Sequence, residues 1–315
     1  MKPARIVTGD GAGVAAALAA LQRGAAIGMP TETVYGLAAD ASNPDAVAGI
    51  YALKARPRFN PLIAHVADID MARLEGDLDA RAAALAAAFW PGPLTLVVPA
   101  AAAGRTCELA RAGLATIALR VPAHPLAQTL LAGMNGPIAA PSANPSGRLS
   151  PTSAAEVAAE LGSDLELVLD GGRCQAGIES TIVALLPDTP ATLLRPGAIA
   201  REAIEAITGP LAEASGAAVT APGQLQSHYA PRAQLRLNAD RPEPGEVLLW
   251  FGPSAPRGAV NLSPSGDLTE AAARLYQLLR QLDASGAATI AVMPIPATGL
   301  GEAINDRLRR AAAPR

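Results

Sequence analysis

The sequence predicts an α/β protein in which one large twisted sheet carries flanking helices and a second, smaller α/β unit follows it. Three observations predict this. Short β-rich runs alternate with Ala-rich helical stretches from the N-terminus to about residue 210. Half of the 315 residues are hydrophobic and only 17% are charged, which supplies apolar surface for a core and excludes wholesale disorder. Between about 210 and 236 the alternation lapses into Gly, Ala, Pro and Gln, then resumes. The boundaries drawn are a first domain over 1–209, a linker over 210–236 and a small domain over 237–315.

In the first domain the helical pattern falls on 14–23, 45–54, 81–89, 126–132, 153–161 and 201–207. The fifth of these follows a Pro-Thr-Ser start that supplies an N-cap, and the second ends in cations where a proline forces the chain out. Strands are predicted over 26–29, 62–66, 94–98, 116–121, 138–140, 165–169, 181–185 and 192–194, enough for one large sheet. The linker holds an isolated polar and aromatic cluster, Ser227-His228-Tyr229-Ala230-Pro231. The small unit reads as strand 246–251, helix 268–282, strand 289–293 and helix 301–312, a Rossmann-like arrangement.

Several function classes are excluded. With 25 basic against 28 acidic residues, the chain lacks the basic excess of a protein that holds nucleic acid mainly through phosphate contacts. A long charge-free stretch, 82–104, is interrupted by Pro91, Gly92, Pro93 and Pro99, so it reads as helix, turn and strand, not as a membrane span. The N-terminal MKPARIVTGDGAG has no apolar h-region, and Cys107 and Cys174 suit a reducing compartment, so a cytoplasmic protein is expected. The only lysines are Lys2 and Lys54, which rules out a P-loop. Gly9, Gly11 and Gly13 do not complete the dinucleotide fingerprint, and no strand is predicted before them. Three histidines and no paired Cys-x-x-Cys leave no metal site in the prediction.

What remains is a set of cations and hydroxyls at element ends. Lys54 stands out in a chain that otherwise uses Arg, and with Arg56 it forms a candidate phosphate clamp; the same cations also complement a helix dipole, and both readings stand. Pro141-Ser142-Ala143-Asn144-Pro145 follows an apolar run, as ligand-orienting groups do at the open end of an α/β sheet and as any turn does. Arg120, between Leu119 and Val121, requires a carboxylate or phosphate partner. Thr31, Glu32 and Thr33, His65, Glu179-Ser180-Thr181 and Leu194-Arg195-Pro196-Gly197 carry similar but weaker signals. No Ser or Cys has a convincing His and acid partner, so the set fits positioning and charge neutralisation of a phosphorylated substrate better than covalent catalysis.

The segments PTETVYGLAAD, ALKARPRFNPLIAHV, WPGPLTLV, ATIALRVPAHP, PIAAPSANPSG, LVLDGG, ESTIV and LLRPG, in this order, resemble the threonylcarbamoyl-AMP synthase family across most of the first 200 residues. SHYAPRA and the closing GLGEAINDRLRRAA resemble its long, two-domain form. The resemblance implies a YrdC-like large mixed sheet and a condensation of L-threonine, bicarbonate and ATP, with Mg2+ accompanying ATP. The product is threonylcarbamoyl-AMP, passed to downstream tRNA threonylcarbamoyl transferase proteins. By resemblance the catalytic Lys-x-Arg and Ser-x-Asn elements fall on Lys54, Arg56, Ser142 and Asn144. Arg56, Asn60, Thr116, Ser142, Ser150, Arg195 and Tyr229 are expected to hold ATP, with the linker closing over it. Thr33, His65, Arg120, Ala140 and Ser180 are expected to hold threonine. The alternative is an RNA- or nucleotide-binding module of the same fold without synthase activity. Arg307, Arg309 and Arg310 are expected in a last helical turn, as dipole partners or as a contact to tRNA.

Overall fold

The structure, a computed structural model, describes residues 3–214, 220–223, 229–256 and 259–314; Ser227 and His228 of the linker cluster lie outside these. The first unit contains strands β1 (Ile6–Thr8), β2 (Ile27–Met29), β3 (Gly36–Asp40), β4 (Ile63–His65), β5 (Leu94–Pro99), β6 (Thr116–Arg120), β7 (Ile138–Ala139), β8 (Leu167–Asp170), β9 (Thr181–Ala184), β10 (Thr192–Arg195) and β11 (Ala212–Glu213). Its helices are α1 (Gly11–Gln22), α2 (Pro44–Lys54), α3 (Ile69–Glu75), α4 (Ala80–Phe89), α5 (Pro125–Met134), α6 (Ala154–Leu161) and α7 (Arg201–Thr208). The strands form one sheet in the order β1-β8-β2-β3-β7-β4-β6-β5-β9-β10-β11. The pairing is mixed: β4–β6 and β5–β9 are parallel, whereas β3–β7, β4–β7, β5–β6 and β9–β10 are antiparallel.

The two faces of the central strands differ because side chains alternate. Ile117, Leu119 and Val121, with Leu94, Leu96 and Val183, pack against Ala82, Leu85 and Ile204 of helices α4 and α7. On the opposite face Ile63, Val97, Ala118, Ile182 and Ala184 cluster with Ala221. Arg120 and His65 lie opposite each other in the β4–β6 register and continue that face at the strand ends. A cleft opens on this face, where Arg120 and His65 project.

The second unit contains β12 (Gln234–Arg236), β13 (Glu246–Trp250), β14 (Val260–Asn261), α8 (Leu268–Ala284), β15 (Thr289–Val292) and α9 (Leu300–Ala312). Its strands pair in the order β12-β15-β13-β14, all parallel, in the Rossmann-like manner. Helix α8 buries a stripe of Ala271, Ala272, Leu275, Tyr276, Leu278, Leu279 and Leu282 at helical spacing. The units share a core: Val34, Leu149 and Ile178 of the first pack in one cluster with Leu275, Tyr276 and Leu279 of the second.

The structure departs from the sequence expectations in a few places. Strand β1 does precede Gly9, Gly11 and Gly13, and helix α1 begins at Gly11. Gly13 is needed for packing, since a Cβ there would lie 1.8 Å from the Thr8 carbonyl oxygen. The helix N-terminus is capped internally, with Asp10 accepting from the Gly13 amide at 2.9 Å. Strand β3 lies in a segment read only as a motif, and its Gly-Leu-Ala-Ala-Asp composition lacks β-branched residues. Helix α3 was also missed; it is short and relies on Asp68 as its N-cap. The predicted linker contains β11 near its start and β12 at its end.

Candidate active site

The cleft on the Arg120 and His65 face of the sheet is lined by Thr31, Thr33, Arg56, His65, Arg120, Ala140, Ser142, Glu179, Ser180 and Arg195, with Pro222, Gly223 and Tyr229 also on its wall. At one end Arg120, buried at the end of β6, pairs with Glu32 at 2.6 Å. It also donates to Thr33 Oγ1 at 2.9 Å and to the Gly92 carbonyl at 3.2 Å. Burial pushes the Glu32 carboxyl upward, but the attraction of Arg120 outweighs it and holds Glu32 below its usual value. Arginine carries five N–H donors, of which these contacts use three, so the guanidinium retains capacity for an incoming carboxylate. Beside it, burial and the positive charge of Arg120 push His65 down to about 3, so its ring is neutral at ordinary pH.

The opposite end is built by the C-terminus of α2 and the loop after β7. Ala55, in the left-handed region at φ 48°, ends α2 and releases the chain toward Arg56. Lys54 is fully buried, and its Nζ donates to the carbonyl oxygens of Ser142 at 2.5 Å and Asn144 at 2.6 Å. Burial, reinforced by Arg56, pushes its ammonium well below the ordinary lysine value. Lys54 therefore pins the Ser-Ala-Asn loop, and it is Arg56 that reaches the cleft wall. Arg56 is anchored by the Asn60 carbonyl at 3.1 Å, Asn60 Oδ1 at 2.6 Å and the Pro61 carbonyl at 2.8 Å. Burial brings it down to about 10, still cationic at neutral pH. Asn144 lies beneath this wall, donating to the carbonyls of Pro145 and Arg148 at 2.9 Å.

Between these ends Arg195 donates to the Ser180 carbonyl at 2.9 Å, to Ser180 Oγ at 3.1 Å and to the Pro222 carbonyl at 3.2 Å. Ser180 Oγ also lies 2.7 Å from Thr95 Oγ1. Gly223 has φ +84°, and a Cβ there would come within 2.6 Å of the Tyr229 hydroxyl and 2.8 Å of Arg195 Cδ, so only glycine fits. Thr33, Arg56, His65, Arg120, Ala140, Ser142, Ser180, Arg195 and Tyr229 of the expected set thus meet on one cleft. Lys54, Asn60 and Asn144 lie behind its wall as supports. Ser150 is likewise withdrawn, its hydroxyl donating to Glu179 at 2.5 Å. Thr116 stands at the other end of β6 from Arg120, on the same face by alternation and outside the lining.

Sequence reasoning gave no signal at Pro222 or Gly223 and only a weak one at Thr31 and Glu179, all on the cleft wall. Glu179 carried a faint signal, but its partners Tyr276 and Arg307 belong to the other unit. The expectation for Arg307 needs correcting. It is fully buried under Tyr229 and paired with Glu179, so neither water nor RNA reaches it, whereas Arg309 and Arg310 do occupy the last turn of α9. Among the described residues no group of three or more His, Cys, Asp or Glu is placed to hold a metal ion, and no helix is long and apolar enough to cross a membrane.

Comparison with known proteins gives the family. The model described as telomere recombination matches residues 19–197, and that of the threonylcarbamoyl-AMP synthase C-terminal domain matches 199–313. The chain is 39% identical to the threonylcarbamoyl-AMP synthase of Bacillus subtilis, over 96% of its own length and 93% of the relative's. It is 38% identical to that of Pyrococcus abyssi, over 93% and 92% respectively. Its structure resembles the crystal structure of P. abyssi Sua5 complexed with L-threonine with a TM-score of 0.87 at 35% identity, covering 95% of this chain and 94% of the other. A likeness to E. coli YciO, with a TM-score of 0.55 at 21% identity over 62% of this chain, shows the fold alone. The mixed sheet, the Rossmann-like second unit and these matches agree, and the chain belongs to the threonylcarbamoyl-AMP synthase family in its two-domain form.

Proposed function

We propose that this chain condenses L-threonine, bicarbonate and ATP into threonylcarbamoyl-AMP and pyrophosphate, with Mg2+ entering as part of the nucleotide substrate. The observation that carries this reading is the convergence of Arg56, Arg120 and Arg195, all buried, on one cleft beside a neutral His65. Arg120 receives the threonine carboxylate, with Thr33, His65, Ser180 and the Ala140 backbone shaping the amino-acid end. The threonine amine, as free base, attacks the carbon of bicarbonate; water leaves and a carbamate forms. A carbamate oxygen then attacks the α-phosphorus of ATP and pyrophosphate departs. Neither step requires a protein nucleophile, but both require cations at the phosphates and exclusion of water from a labile carbamate.

In this reading Arg56 and Arg195 bind phosphate charge beside Ser142, with Asn60 anchoring Arg56 and Ser150 holding Glu179 behind the wall; Thr116, expected at ATP, stands outside the lining. Lys54 and Asn144 hold the Ser142 loop in shape. Residues 1–209 act as the catalytic unit, 210–236 as a strap that brings Tyr229 over the nucleotide, and 237–315 as the unit that seats the strap. The product passes in the cytoplasm to proteins that transfer the threonylcarbamoyl group to tRNA. The test is pyrophosphate release from ATP with magnesium and bicarbonate, comparing L-threonine, L-serine and no amino acid for the wild type and Arg56→Ala. Release that depends on threonine and falls at least about a hundredfold in the variant is expected. ATP binding without threonine-dependent release favours a nucleotide-binding module instead.

A further inference from the structure

Glu179 is buried on the cleft wall next to Ser180, and its partners come from both units. Ser150 donates to it at 2.5 Å, the Tyr276 hydroxyl of α8 lies 3.0 Å and 2.9 Å from its two oxygens, and Arg307 Nε of α9 donates at 2.7 Å. Burial alone would push this carboxyl up; Arg307, Arg195 and Ser150 outweigh it and bring it down to about 2. Arg307 is fixed in its plane by Glu179, by Asp306 at 2.6 Å and by the Pro196 carbonyl at 3.0 Å. Its Cζ then lies 4.9 Å from the centroid of the Tyr229 ring, and the Tyr276 ring lies 5.9 Å from the same ring. Tyr229 has φ +61°, a left-handed conformation that a bulky residue keeps only where its surroundings impose it.

We infer that Arg307 and Tyr276, far from the reacting groups in sequence and contributed by the second unit, are positioning residues for the nucleotide end of the cleft. They set Tyr229 from one side and, through Glu179, hold Ser150 from the other. The inference rests on the proposed ATP role of Tyr229. An ion pair that served stability alone would have no need to lie against Tyr229, the residue expected to meet the nucleotide. Arginine is suited to the position because its flat face stacks on the ring while its edge serves three acceptors, which lysine cannot do at once.

The test uses the full chain and compares wild type, Arg307→Lys, Tyr276→Phe, Tyr229→Ala and the two double variants with Tyr229→Ala. Melting temperature, ATP affinity by calorimetry, and kcat and KM for ATP and for threonine are measured. Arg307→Lys is expected to weaken ATP binding roughly tenfold while the KM for threonine stays within about twofold. In the Tyr229→Ala background the same change should add less than about twofold, because the residue through which it acts has gone. A lowered melting temperature with ATP affinity unchanged overturns the inference, as do effects that multiply fully in the double variant. If Arg307→Lys does not fold, Tyr276→Phe, which loses only a hydroxyl, decides by the same comparison. Wild type that binds ATP but releases no pyrophosphate with threonine defeats the synthase reading alone, and the ATP affinities still decide the positioning role.

Discussion

His65 and Arg120 sit side by side in paired strands, one neutral and one bound to Glu32. The pairing has a consequence for pH. Burial first, and Arg120 second, lower the folded-state pKa of His65 to about 3 from 6.5. Below pH 6.5 the unfolded chain binds a proton that the folded chain refuses. Stability contributed at this position is therefore complete above pH 6.5 and declines as pH falls toward about 3. At about pH 5 the loss amounts to about 2 kcal/mol. His65→Gln should accordingly lose less melting temperature than the wild type between about pH 7 and about pH 5. Equal losses in the two proteins would contradict the buried neutral ring. Arg120 was legible in the sequence because a cation between two apolar strand residues has to be paired, but its partner was not, since Glu32 lies 88 residues away.

The end of helix α2 illustrates how an element can serve a site without touching the ligand. Its C-cap at Ala55 turns the chain so that Lys54 points inward and Arg56 reaches the cleft. The nearest acceptors of Lys54 are carbonyl oxygens of the Ser142 to Asn144 turn, so this helix end and that loop form one unit. Lys54→Met keeps most of the aliphatic volume and removes both hydrogen bonds; the Ser142 carbonyl keeps the Asn144 amide as donor, while the Asn144 carbonyl loses Lys54. A loss of about 1–3 kcal/mol in stability is expected, together with weaker ATP binding, measured by denaturant unfolding and calorimetry. A stable variant with normal ATP affinity would assign Lys54 no part in shaping the loop. The spacing of Lys54 and Arg56 marked this helix end in the sequence, but the division of labour between them depends on which side chain the left-handed cap turns inward.

The two units are joined by more than a strap. Val34, Leu149 and Ile178 are buried in the same apolar cluster as the inner face of α8. Gly177 approaches that helix so closely that a Cβ would lie 2.4 Å from the Ala273 carbonyl oxygen. Arg201 of α7 pairs with Glu302 of α9 at 2.6 Å, and Glu179 with Arg307 at 2.7 Å. A shared core and buried ion pair make separate unfolding unfavourable, so scanning calorimetry of the full chain should show one cooperative transition. Two resolved transitions would indicate that the second unit is a loosely tethered domain. The same contacts explain why a chain cut near residue 209 is expected to lose stability as well as turnover: it would expose Ile178 and leave Glu179 without Tyr276 and Arg307.

Local signals carried the sequence reading a long way. Alternating periodicities located most helices and central strands within a few residues, because amphipathic faces are written into consecutive side chains. The strand arginine and the Ser-Ala-Asn turn pointed to Arg120 and Ser142 on the cleft wall, and the scarcity of lysine to Lys54, which lies behind it. Folding decided the rest. Strand β3 forms from Gly, Ala and Leu because β2 and β7 pair with it, a long-range interaction that overrides weak propensity. Arg307 reads in isolation as a surface cation near a helix end; it becomes a buried partner of Glu179 and Tyr229 only when two units of the chain pack together. Propensity and pattern act over a few residues, whereas the pairing of a buried charge depends on which distant side chains the packed core brings to it.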